Sequence, residues 1–75
     1  SGRTSDDERK TIRSVQLELN RLGCNTGTPD GVIGRNSREA LRQFAGARGI
    51  RFQVADFRSQ LFLRRIEKIT GIVCQ

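Results

Sequence analysis

Asp30-Gly31-Val32-Ile33-Gly34 lies between a segment of helical apolar spacing that closes on Leu22-Gly23 and a second one that opens near Asn36. Two glycines around two β-branched residues ask for backbone at positive φ or in close approach, and Asp30 is suited to accept hydrogen bonds from amides of the same bend. The stretch reads as a shaped turn rather than a catalytic box. Its meaning therefore depends on what it joins.

Upstream, residues 5–22 read as one helix, with Ser5 as N-cap, Glu8 completing a capping box, and Asp6 and Asp7 matched to the positive helix start. Ile12, Val15, Leu19 and Leu22 recur at three- and four-residue steps and form a core stripe. Leu17 falls off that stripe, so it is either exposed or covered by another element. Gly23 suits the end of the helix, and residues 25–34, rich in Gly, Asn, Thr, Pro and Asp, read as an ordered loop.

Downstream, Asn36 and Glu39 form a second candidate capping box, ahead of Ala40, Leu41, Phe44 and Ala47 on one side, with Gly49 as the stop. A short apolar link, 50–54, leads to Phe57, Leu61, Phe62, Ile66 and Ile69 at helical steps, and Gly71 ends that run. The expected fold is all-α: a compact three-helix bundle with helices about 6–22, 36–48 and 55–69 and an ordered D-G-x-x-G loop between the first two. Residues 1–4 are expected to be a disordered tag or linker, and 5–75 a single domain.

Seventy-five residues place the chain where a hydrophobic core alone contributes only about 3–5 kcal/mol, so a further constraint is expected. Cys24 and Cys74 suggest one, as a disulfide enclosing most of the domain; two reduced, partly buried thiols are the other reading. With no histidine and only two distant cysteines, no zinc site is expected, and no cofactor. No apolar run approaches membrane-spanning length, so no membrane insertion is expected. The net charge of +6, mostly from arginine, points to anionic partners or to a solvated basic surface.

Val15-Gln16, Leu19, Leu22-Gly23, Asp30-Gly31, Gly34, Ala40-Leu41 and Phe44 together resemble the peptidoglycan-binding domain family, three-helix modules attached to many bacterial cell-wall hydrolases. The resemblance covers about residues 11–45, with Ser37 where Thr is usual and Ala45 where Gln is usual. The added cysteine pair resembles a branch found in exported or periplasm-facing proteins. That branch implies a bridge tying the end of helix one to the tail after helix three, and a periplasmic or extracellular bacterial location. The family implies peptidoglycan or muropeptides as partner, with a fused domain or protein partner beside it, and the domain is expected to be a monomer.

Absence of histidine removes Ser-His-Asp, Cys-His and histidine-metal chemistry, and three short helices hardly form the deep cleft a two-carboxylate hydrolase needs. The expected role is binding, without catalysis. The start of helix two is an anion site by its free amides and dipole, and Arg35, Asn36, Ser37 and Arg38 beside it are the candidate ligand contacts. Asp30, Gly31, Gly34 and Gln16 are assigned to building the loop, and Asn36 is a cap before it is a contact. With no Trp or Tyr to stack on sugar, stem-peptide carboxylates are the expected target. Two alternatives stay open: a docking or spacer module on the same fold, favoured by Ala45, and a basic DNA-binding domain, against which the long first loop counts.

Overall fold

The computed structural model describes residues 6–74, as α1 (Asp6–Arg21), α2 (Arg35–Arg48), a 3-10 helix η1 (Val54–Arg58) and α3 (Gln60–Glu67). The expectations for Ser5 as a cap and for residues 1–4 lie outside the described residues. The fold is all-α, and α1 is its centre: α2, η1 and α3 all pack on it. Ile12, Val15, Leu19 and Leu22 are buried along α1 and meet Ala40, Leu41 and Phe44 from α2 and Phe57, Phe62 and Ile66 from the C-terminal half. Each large apolar side chain so buried stabilises the fold by about 1.5–3 kcal/mol before chain entropy is set against it. Leu17 is exposed, as its place off the stripe requires.

Helix α2 differs from expectation at its start and in the burial of Ala47. It starts on Arg35, with Gly34 as its N-cap, so Asn36 already lies inside the first turn and makes no capping box with Glu39. At the other end Ala47 is exposed. The returning chain closes the core one turn earlier, where Phe52 stacks on Phe44 at 5.4 Å between centroids and meets Phe62 edge-on at 4.5 Å. Gly49, at φ 67°, ends the helix in the left-handed conformation that glycine adopts without steric cost. Gly46, inside α2, costs about 0.5–1 kcal/mol relative to alanine. A Cβ placed there would meet nothing within 4 Å.

The run expected as one helix over 55–69 is two pieces. Gln53 and Asp56 form a reciprocal capping box that closes η1 on itself, and Ser59 is extended, at φ −95° and ψ 122°. The Ser59 hydroxyl then accepts from Phe62 N–H at 3.2 Å and starts α3 afresh. Because the break shifts the helical phase, Phe57, Phe62 and Ile66 turn inward while Leu61 is left 70% exposed.

The C-terminal segment is clamped to the end of α1. Cys24 and Cys74 form a disulfide across a sequence separation of 50, and Val73 and Cys74 both donate their N–H to Leu22 O, at 2.8 and 3.1 Å. Gly23 makes this approach possible: it sits at φ +86°, and a Cβ there would stand 2.5 Å from the Cys74 carbonyl oxygen. Arg21 adds a second tie, donating to Ile66 O at 3.1 Å near the end of α3 while pairing with Glu18.

Candidate functional site

The loop between α1 and α2 is built on two polar side chains of α1. Gln16 is 1% exposed, and its Nε2 donates to Val32 O at 2.9 Å and to Ser37 Oγ at 3.0 Å, with a longer contact of 3.5 Å to Asp30 Oδ1. Its Oε1 accepts from Gly31 N–H at 2.9 Å. One turn later Asn20 accepts from Thr26 N–H at 2.8 Å and from Thr26 Oγ1 at 3.0 Å, and donates to Gly27 O at 3.0 Å. Thr26 N–H, Gly27 O, Gly31 N–H and Val32 O are thereby satisfied from beneath, which lets an irregular segment lie against the core.

Within the loop, Asp30 Oδ1 accepts from Val32 N–H at 2.9 Å, the side-chain turn its position suggested. Gly31 needs glycine: φ is +79°, and a Cβ would approach Arg9 O to 3.0 Å. Gly34 does not. Its φ of −110° is extended, and a Cβ there would meet nothing within 4 Å, so the expectation of two strained glycines holds for Gly31 only.

The Asp30 carboxyl titrates below its ordinary value, chiefly because Val32 N–H bonds the charged form, with desolvation opposing and Gln16, its own amide and Arg9 adding to the lowering. A group depressed in the folded state contributes stability that is full above its unfolded pKa and is lost as pH falls through the folded value. Asp30→Asn keeps the turn acceptor but not the titration. The advantage of wild type over this variant is expected to be full above about pH 5 and to shrink below about pH 4, followed by urea unfolding across that range.

An open groove of about 510 Å³ lies over the loop and the start of α2, lined by Thr26, Thr28, Asp30, Val32, Gly34, Arg35, Asn36 and Ser37. Because the N-cap is glycine, no side chain caps α2, and the amides of its first turn keep their donors and the positive end of the helix dipole. Asn36, expected to occupy that position as a cap, instead stands exposed beside it with Arg35. Ser37 also lines the groove but is only 2% exposed, with its hydroxyl accepting from Gln16 Nε2 on α1. Arg38 lines a different groove, with Leu41, Arg42 and Phe52.

The four residues grouped by sequence thus divide between two grooves, with Arg35, Asn36 and Ser37 lining the first and Arg38 the second. Thr26, Thr28 and Asn20 went unnoticed in the sequence. The signal for Asn20 was present, because Gln16 and Asn20 repeat at i, i+4 exactly one residue after the buried pair Val15 and Leu19. Among the described residues no cluster of His, Cys, Asp and Glu is placed to hold a metal ion, and no helix is long and apolar enough to cross a membrane.

No curated protein and no solved structure matches this chain. The family model of the peptidoglycan binding domain matches residues 8–52, a span that takes in nearly all of α1, the Gln16-anchored loop, the groove and the whole of α2. On that match, which covers more than half of its length, the chain belongs to the peptidoglycan binding domain family.

Proposed function

We propose that this domain is a non-catalytic cell-wall module of an exported bacterial protein, and that it holds peptidoglycan by a stem-peptide carboxylate at the start of α2. The observation that carries this reading is the uncapped N-terminus of α2, open to a groove that Arg35 and Asn36 flank. Free first-turn amides and a guanidinium are the donors a carboxylate takes, the amides singly and the arginine in bidentate fashion. Asp30 shares the groove but has Oδ1 bound to Val32 N–H, so the carboxylate binds at the Arg35 and Asn36 end. The family supports peptidoglycan as the partner, and a disulfide persists in an oxidising compartment such as the periplasm.

Gly34→Asp separates binding from folding. The new carboxylate would cap α2 and raise stability by a few tenths of a kcal/mol, yet it would occupy the amides that the ligand needs. Retention on purified sacculi is expected to fall by about tenfold in Gly34→Asp and in Arg35→Ala, and to fall for wild type as salt rises. Full retention in both variants rejects the α2 site. Equal binding of a muropeptide and a sugar-only fragment rejects carboxylate recognition.

A further inference from the structure

A second groove, of about 660 Å³, lies between the outer side of α2 and the segment that returns from it. Arg38, Arg42 and Arg51 rim it, and Leu41, Phe52 and Val54 form its apolar lining. We propose that this groove is a docking site for an acidic protein segment that carries an apolar anchor.

Charge complementarity is the first support. All three arginines are exposed, none has a carboxylate partner among the described residues, and no Asp or Glu lines the groove. Arg38 and Arg42 stand at i, i+4 on α2, where like charges repel, and an acidic guest would relieve that repulsion. Space is the second support. Gly46 also lines the groove, with nothing within 4 Å of where its Cβ would be, although alanine would suit the helix better. Glycine there keeps the groove clear. The lining favours a peptide over other polyanions, because a nucleic-acid backbone has no use for apolar walls and a bilayer surface does not enter a concave site. Nothing here depends on the carboxylate site at Arg35, so either can fail without the other.

The test is anisotropy of a labelled peptide in which glutamates flank a Leu-Phe pair. Wild type is expected to bind it saturably, and Arg42→Glu/Arg51→Glu to weaken binding by at least about tenfold while sacculus retention is unchanged. Gly46→Leu fills the open space without altering charge and is expected to weaken binding comparably, with circular dichroism confirming that both variants fold. Replacing the peptide's glutamates by glutamine, or its Leu-Phe pair by serines, is expected to abolish the effect. Absence of peptide binding, unaltered binding in the double-arginine variant, or equal binding of polyglutamate would overturn the proposal. So would preference for phosphatidylglycerol vesicles or duplex DNA that the same double variant removes.

Discussion

Removal of the Cys24–Cys74 bond is expected to destabilise the domain by about 4 kcal/mol, because a cross-link over a sequence separation of 50 strips that much closure entropy from the unfolded chain. A core of this size supplies roughly 3–5 kcal/mol, so the cross-link is comparable to the rest of the fold's stability. Both cysteines are buried, and serine would add an unpaired hydroxyl to the cost. The clean comparison is therefore Cys24→Ala/Cys74→Ala against wild type in urea, with wild type in reductant as a second route to the same state. A loss below about 1 kcal/mol would mean that the Val73 and Cys74 hydrogen bonds to Leu22 O close the chain without help from the bond.

Gln16→Leu is the second large effect, and it works through polar groups rather than volume. Leucine fills the space of glutamine, but it leaves Gly31 N–H and Val32 O without their partner and frees a buried Ser37 hydroxyl. Buried groups stripped of partners cost about 1–3 kcal/mol each, and partial relaxation of the loop brings the expected total to about 3 kcal/mol. Leu17→Gln, one residue along and exposed, is the control and should stay within about 0.5 kcal/mol of wild type. If the two variants melt alike, the loop is held by Asn20 and Thr26 alone. Sacculus retention should fall with Gln16→Leu as well, since the floor under the groove moves with Ser37.

Much of the architecture was legible because it rests on periodicity. Ile12, Val15, Leu19 and Leu22 are spaced as a helix face must be, and they are buried. Gly49 marks an end that backbone sterics dictate, whereas α3 stops at Glu67 with Lys68 as its cap, short of the expected stop at Gly71, and Asp30 with Gly31 makes the turn that its residue types favour. Where legibility failed, two local signals competed. Asn36 and Glu39 fit a capping box, but Gly34 took the cap and α2 began at Arg35, with Ala40, Leu41 and Phe44 still facing the core. At Ser59, spacing alone could not show that its hydroxyl would restart a helix, since Phe57 to Phe62 fits a continuous run almost as well.

The site was less legible than the fold for the same kind of reason. Residue type marked Arg35, Asn36, Ser37 and Arg38 as one polar group, but a helix turns by about 100° per residue, so four neighbours cannot share a face. Which of them meets the groove depends on how α2 lies against α1, and that is set by Leu41 and Phe44 meeting Val15 and Leu19 in the core.

By itself, the sequence determined the first two helices, the α1 core face, the turn at Asp30 and Gly31, and the family, because these follow from local spacing and from residues whose backbone preferences are strong. Gln16 was expected to support the loop, but only the tertiary structure decided which groups it holds, that Ser37 is buried upon it, that α2 opens uncapped onto a groove, and that Arg38 belongs to a second one. Those facts depend on the relative orientation of α1 and α2, which comes from packing between residues far apart in the chain and so leaves no local signal.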